Sequence, residues 1–282
     1  MINRQITRRP VARIAHGVGI ALLVFGAITM LFPFIWMFLS SFKTRLEIMR
    51  FPITWLPKVW QFQNYTEVLT KYNFAAYYQN TLVVTLVNLA GELVINTMAA
   101  YAFARIDFPG SKVIFFVLLS VSMIPAQMTL IPVYIIMTKL GWVNTYFALT
   151  LPQFPSVFGV FLCRQFFMTL PKTLEEAAVI DGCGRFKIYR SIILPLSKPV
   201  LIAYGIGCVL ANWNDLLWPL LMTSTDKMRT LAVGVAIMRG QYAVMYHSMM
   251  AASCLSVAPL IVLFLSAQKH FIKGLAVTGM KL

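Results

Sequence analysis

Leu174-Glu175-Glu176-Ala177-Ala178-Val179-Ile180-Asp181-Gly182, continued by Cys183 through Pro195, is a charged, glycine-punctuated segment set between long apolar runs. Thr173, after Pro171 and ahead of the acidic pair, is placed to cap a helix start, and Glu175 and Glu176 then fall in a first turn, where negative charge suits the helix dipole. Ala177 and Ala178 keep that helix thin, so a second surface can approach it. Gly182 permits a reversal that a side chain would obstruct. From Gly184 to Leu194 the pattern predicts a short basic helix carrying Arg185, Lys187 and Arg190, broken by Pro195 and Pro199. Helix, turn and helix make a docking device.

The runs on either side are membrane segments. Hydrophobic residues are 59% and charged residues only 12% of the 282, against a charged share of roughly 25% in soluble domains. A hydrocarbon core of about 30 Å needs roughly 20 apolar residues per helix. Residues 14–42, 113–138, 140–163 and 240–268 contain no Lys, Arg, Asp or Glu; 72–104 contain only Glu92, and 199–225 only Asp215. That predicts an all-α protein with six spans.

Basic residues set the orientation. With the N-terminus inside, inner segments hold Arg4, Arg8, Arg9 and Arg13; Arg105 and Lys112; Arg164, Lys172, Arg185, Lys187, Arg190 and Lys198; and Lys269, Lys273 and Lys281. Five of the remaining cations lie in one long first outer loop, and short loops weigh most, so N-in and C-in is expected. The net charge of +15 is then a topology signal with attraction to anionic lipid, not a nucleic-acid footprint. The first apolar run is too long for a signal peptide and no small-residue cleavage site follows it; it reads as a retained span.

Within the spans the polar residues are few and placed. Asn88, Glu92 and Asn96 recur at i, i+4 and i+8 and form one stripe on one helix face; such a stripe either lines a pathway or ties helices together, and a carboxylate favours the pathway. Pro125 and Pro132 break the third span, Pro152 and Pro155 the fourth, with Gln127 and Gln153 beside the breaks; breaks of this kind accompany substrate pathways or shape the bundle. The fifth span holds Asn212, Trp213, Asn214, Asp215 and Trp218, the amide, carboxylate and aromatic types that bind sugars. Four scattered cysteines (Cys163, Cys183, Cys208, Cys254) and three isolated histidines give no metal set and no disulfide framework.

Glu176-Ala177-Ala178, three residues, Gly182, nine residues, then Ile192-Ile193-Leu194-Pro195 resembles the EAA loop of importer permeases that work with ATP-binding-cassette ATPases, with all seven family positions present. Phe166 to Pro171, Asp181, Leu194 to Lys198, Asn212 to Pro219 and the tail from Gln268 to Lys281 resemble its carbohydrate branch, nearest the smaller permease of maltose-type systems. The tail departs at Leu282, where relatives commonly carry Gly.

The resemblance implies a type I importer permease fold for a sugar or oligosaccharide. It implies a basic arm over 1–15, a six-helix permease domain over 16–268 with an extracytoplasmic segment at 41–80 and a coupling loop at 168–198, and a cytoplasmic tail over 269–282. ATPase coupling falls to Glu175, Glu176, Ala177, Ala178, Asp181, Gly182, Ile192, Leu194 and Pro195, and tail contacts with the ATPase to Gln268, Lys273, Gly274 and Gly279. The substrate pathway falls to Asn88, Glu92, Asn96, Gln127, Gln153, Asn212, Asn214, Asp215 and Trp218.

Implied partners are a larger sister permease, an ATPase dimer holding ATP and Mg, an extracytoplasmic solute-binding protein and membrane lipid, in a bacterial or archaeal cytoplasmic membrane. No P-loop, HExxH or nucleophile elbow is present, so no catalytic residue and no resident cofactor is expected. A sugar or polyol phosphate such as glycerol phosphate is the alternative substrate. A stand-alone secondary transporter is the alternative class, weakened by having only two acids within spans and no clear inverted repeat.

Overall fold

The computed structural model describes residues 8–238 and 245–279, with side chains over 16–238 and 245–266. The expected N-terminal arm up to residue 7, the segment 239–244 and the side chains of the tail residues Gln268, Lys273, Gly274 and Gly279 lie outside the described residues. Every regular element among the described residues is helical. In chain order they are α1 (Arg8–Ser40), α2 (Arg45–Ile48), α3 (Gln63–Lys71), α4 (Phe74–Arg105), α5 (Ser111–Val121), α6 (Ala126–Lys139), α7 (Tyr146–Thr150), α8 (Val157–Thr169), α9 (Thr173–Ile180), α10 (Arg185–Ile188), α11 (Leu194–Leu196), α12 (Lys198–Trp213), α13 (Leu217–Met222), α14 (Leu231–Ile237) and α15 (Tyr246–Gly279).

His16–Ser40, Phe74–Arg105 and Tyr246–Ser266 are each long and apolar enough to cross a membrane. Three bent pairs are each long and apolar enough when taken together: Ser111–Val121 with Ala126–Lys139 at 95°, Tyr146–Gln153 with Val157–Thr169 at 43°, and Arg185–Leu196 with Lys198–Trp213 at 80°. Prolines account for the first two bends. Pro125 stands at the N-cap of α6, and Pro152 sits in a short 3₁₀ turn, Leu151–Gln153, just before the break at Phe154 to Ser156. The expected fifth span is also divided, into α12 and α13 around Asn214 to Leu216. The last helix, α15, runs unbroken through Pro259 to Gly279 and so includes the start of the expected tail.

The chain forms two compact units, Met1–Tyr72 with Met238–Leu255, and Asn73–Ile237 with Ser256–Leu282. In the first, Phe42 packs among Phe38, Trp60, Phe62 and Tyr65, and Asn64 donates to the carbonyls of Ser41 and Lys43 at 2.8 and 3.0 Å. In the second, α4 is the central helix, with α8 and α12 against it and α7 and α14 beside its start. Close approach is bought with glycine. A Cβ on Gly159 would lie 2.2 Å from the Tyr204 hydroxyl, and one on Gly91 2.5 Å from the Phe154 ring. Tyr204 cannot swing aside, because its hydroxyl is held at 2.9 Å by Glu92. Gly159→Ala is therefore expected to lose about 1–3 kcal/mol as overpacking, read as a lowered melting temperature of the detergent-solubilised chain.

Candidate functional site

At one end of α4 the segment from Thr173 to Leu196 forms a two-helix loop. Its first helix begins at Thr173 itself, with Lys172 at the N-cap and no side-chain cap, so the expected Thr173 cap is corrected: the hydroxyl lies inside the first turn. Glu175 and Glu176 do occupy that turn. Gly182 takes φ +76°, the left-handed region that glycine enters at little cost, and a Cβ there would meet nothing within 4 Å.

Past the turn, the expected break falls just beyond Pro195, at Ser197, where the path bends by 80°. Tyr189–Ile193 forms a π turn in which the Leu194 N–H reaches the Tyr189 carbonyl, and the helical path continues through Pro195 to Leu196. Proline has no N–H to give to an α-helical ladder, and the widened turn precedes that missing donor. Pro199 lies just after that break, in the first turn of α12, where proline is tolerated.

One face of this loop is rooted. Ala178, Ile188, Tyr189 and Ile193 are buried in a cluster with Ala100, Tyr101, Cys163 and Phe167, and Ile192 and Leu194 pack on its edge. The other face is open: Glu176, Ala177, Asp181 and Gly182 are exposed, as are Ile180 at 86% and Phe186 at 63%. This face combines small and acidic residues with the exposed apolar side chains of Val179, Ile180 and Phe186.

Two contacts carry this loop to α4. Arg105, the last residue of α4, brings Nε to 2.9 Å from Glu175 Oε1, with only 3% of its side chain exposed. The same guanidinium donates at 2.6 Å to both the Phe167 and Leu170 carbonyls at the end of α8, groups that a helix C-terminus leaves without partners. Arg164 of α8 reciprocates, donating to the Phe103 carbonyl at 3.1 Å. About two turns back along α4 from Arg105, the Thr97 hydroxyl meets that of Tyr189 at 2.7 Å.

Farther along α4 the polar stripe meets α12. Asn88 Nδ2 donates to Asn212 Oδ1 at 2.5 Å; Glu92 accepts from Asn212 at 3.1 Å, Cys208 at 3.0 Å and Tyr204 at 2.9 Å; Asn96 donates to Tyr204 at 3.0 Å. Residues 88, 92 and 96 on one helix face 212, 208 and 204 on its antiparallel neighbour, so a four-residue step on both sides makes a ladder. Asn96 also reaches the break before α8, donating to the Phe154 carbonyl and accepting from the Ser156 N–H, both at 2.9 Å. Of the two readings open for the stripe, these partners fit the helix-tying one.

The remaining pathway candidates divide. Trp218 is buried, donating from Nε1 to the Ala148 carbonyl at 2.9 Å. Asp215 is half-buried and accepts from the Trp218 N–H at 3.4 Å, a capping position for α13. Asn214 and Gln127 are exposed and Gln153 is half-buried, each at or beside a helix break. Sequence reasoning missed Arg105 as a hub and Tyr204 and Cys208 as rungs; the i, i+4, i+8 spacing of Tyr204, Cys208 and Asn212 was the available signal. Also missed was Asn144, at φ 63°, whose Oδ1 accepts from the Ser224 and Thr225 N–H groups at 3.0 and 3.1 Å and so clamps the opposite end.

Residues 94–277 match the family described as binding-protein-dependent transport system inner membrane component, a stretch that contains both the two-helix loop and most of the ladder. The chain belongs to that family. It is 35% identical to the arabinooligosaccharides transport system permease protein AraQ of Halalkalibacterium halodurans, over 94% of this chain and 95% of that protein. It is 33% identical to the sn-glycerol-3-phosphate transport system permease protein UgpE of Brucella abortus, over 97% and 99%. Its fold matches a chain from the crystal structure of a bacterial ABC transporter involved in the import of the acidic polysaccharide alginate, with a TM-score of 0.81 at 25% identity over 92% and 97%. This inner membrane component therefore has the type I importer permease fold, and its function is that of a permease in a binding-protein-dependent transport system.

Proposed function

We propose that this chain is one of two permease subunits of an ATP-driven importer for a sugar or oligosaccharide, coupled to an ATPase dimer through the loop Glu175–Pro195. The observation that carries the reading is the loop itself: its exposed face is formed by Glu176, Ala177, Ile180, Gly182 and Phe186, while its buried face is pinned to α4 by Arg105 and Tyr189. ATP and Mg belong to the partner. The sugar class is supported by similarity to an arabinooligosaccharide permease and to an alginate importer.

In this reading the chain crosses six times, both ends inside: α1, α4, α5 with α6, α7 with α8, α12 with α13, and α15. The arm 1–15, the outer segment 41–80, the coupling loop 168–198 and the tail 269–282, with ATPase contacts at Gln268, Lys273, Gly274 and Gly279, are arranged around that bundle. ATP-driven closure would shift α9, drawing on Arg105 through Glu175 and on Thr97 through Tyr189. The ladder then makes α12 follow α4. The yielding points are the breaks at Ser122–Pro125, Phe154–Ser156 and Asn214–Leu216, so Gln127, Gln153, Asn214 and Asp215 are the residues placed to meet a passing substrate, against a sister permease that completes the pathway.

The test is ATP hydrolysis in proteoliposomes holding this chain with its sister permease, ATPase and solute-binding protein. Hydrolysis should rise with loaded binding protein and a particular sugar, and Glu176→Lys should abolish that rise; solute movement by this chain alone without ATP would sink the reading. Glycerol phosphate belongs in the same assay, because a relative of similar identity is named for it. Gly182→Val supplies a separate check. The left-handed turn costs a β-branched residue about 1–2 kcal/mol, but the side chain meets nothing within the chain. The variant is expected to insert and remain helical yet fail to co-purify with the ATPase.

A further inference from the structure

The segment after α1 does not leave the membrane directly. Trp55 packs edge-on against Phe32 and Trp36 of α1, with ring centroids 5.7 and 5.8 Å away. At 1.5 Å per residue, those two side chains lie about 12 and 6 Å before the helix end at Ser40. The 25-residue span His16–Ser40 exceeds a hydrocarbon core of about 30 Å by only a few ångströms at each end. Trp55 therefore stands at the depth where headgroups give way to acyl chains, and the segment folds back along its own helix.

The folded-back segment is stapled from within. Lys43 is buried, donating from Nζ to the Thr54 carbonyl at 2.5 Å and lying 4.2 Å over the Trp36 ring. Glu47 Oε1 accepts from the Lys58 N–H at 2.9 Å and from the Thr54 hydroxyl at 3.4 Å. Between these staples lies a pocket of about 300 Å³ lined by Glu47, Arg50, Lys58 and Gln61, with Leu46 and Val59 on its apolar side; that volume is at the lower end of the ~300–1,000 Å³ of small-ligand sites. The Glu47 carboxylate is spent on the staple. Arg50 and Lys58 make no ion pair among the described residues. Large apolar side chains surround the pocket without cover, Phe51 at 90% and Leu46 at 83% exposure.

We propose that this pocket binds one anionic phospholipid, its phosphate between Arg50 and Lys58 and its acyl chains along Leu46, Val59 and the neighbouring apolar side chains. Two cations against the one Glu47 carboxylate leave the pocket net positive, which favours an anion, and the apolar Leu46 and Val59 on its rim favour an anion that carries a tail. A solute-binding protein or a free phosphate answers the first feature and not the second. The lipid would fix the outer segment to the bilayer surface, which the small staple alone does weakly.

The experiment is native mass spectrometry of the full chain, purified in neutral detergent and offered equal amounts of phosphatidylglycerol and phosphatidylcholine with identical acyl chains. A preference for phosphatidylglycerol of about fivefold is expected, because one net positive charge near an anionic lipid contributes about 1 kcal/mol. Arg50→Gln with Lys58→Gln should reduce the preference to near unity, whereas Arg50→Lys with Lys58→Arg should keep it. The fold is expected to survive both pairs, since the staples use the Lys58 N–H and Lys43, not the replaced side chains. No preference in the native chain, or one unchanged by the glutamine pair, overturns the proposal. Displacement of phosphatidylglycerol by an equal concentration of glycerol phosphate overturns it too, in favour of the headgroup alone. If the glutamine pair keeps the lipid preference but loses binding-protein-stimulated hydrolysis, the surface docks protein and the proposal falls.

Discussion

Replacing Glu92 by Leu is expected to lower the stability of the isolated chain by about 3 kcal/mol, and replacing it by Gln by about half as much. Its carboxylate accepts from Tyr204, Cys208 and Asn212 at once and meets no cation among the described residues. Leucine removes the acceptor from the Tyr204 and Cys208 donors and leaves Asn212 Nδ2 with the Cys208 carbonyl at 2.9 Å. Glutamine keeps one oxygen, able to hold Asn212, but turns an NH₂ group toward Tyr204 and Cys208. Tyr204→Phe should cost less than either, because the carboxylate retains two donors. Thermal unfolding in detergent, followed by loss of monodispersity, gives the ranking Leu, Gln, Phe. A Glu92→Leu variant as stable as the parent would remove the ladder from the account of the fold and return Glu92 to the substrate pathway.

The membrane class, the all-helical fold and the helix–turn–helix form of the loop were legible in the sequence, each for a local reason. Charge-free gaps report the bilayer directly, and Glu176, Ala177, Ala178 and Gly182 act through spacing along one short stretch. The stripe Asn88, Glu92, Asn96 was legible as a face but not as a ladder. Its meaning depends on which helix lies opposite, and the complementary spacing of Tyr204, Cys208 and Asn212 becomes informative only when the two helices are antiparallel. Trp218 illustrates the same limit. An aromatic ring beside amides and a carboxylate suits a sugar, but its Nε1 is committed to the Ala148 carbonyl, a partner 70 residues away that no periodicity announces.

The prolines were read correctly as breaks at Pro125 and at Pro152 with Pro155, and incorrectly at Pro132, which lies inside the unbroken α6; the break expected at Pro195 comes just after Leu196. The difference is physical. A proline within an α-helical ladder leaves a carbonyl without its donor, whereas the π turn at Tyr189–Ile193 has already shifted the bonding pattern by one residue before Pro195 arrives. Arg105 was counted as one of two cations in a short inner loop, which is a statement about topology. Its second role comes from three acceptors, Phe167, Leu170 and Glu175, that converge on it only when α8 and α9 are in place.

Arg105→Gln is expected to uncouple transport more severely than any change on the substrate side. The substitution removes the positive charge beside Glu175 and the two 2.6 Å bonds to the end of α8; breaking a buried charge pair by deleting one partner costs about 3–5 kcal/mol. That loss lowers the melting temperature of the chain, which a merely structural role would also do. Glu175→Gln separates the two effects. It leaves both carbonyl bonds of Arg105 intact and keeps an amide oxygen facing the guanidinium, so the melting temperature should fall by less than in Arg105→Gln. Yet it cuts the charge link between α9 and α4, and binding-protein-stimulated hydrolysis in the assembled transporter should fall at least tenfold while basal hydrolysis persists. Arg105→Lys should sit between, keeping the charge but not the fork that reaches two carbonyls and a carboxylate together. If Glu175→Gln transports as well per ATP as the parent, Arg105 stabilises the end of α8 and transmits nothing, and Tyr189 with Thr97 becomes the remaining route from the docking face to α4.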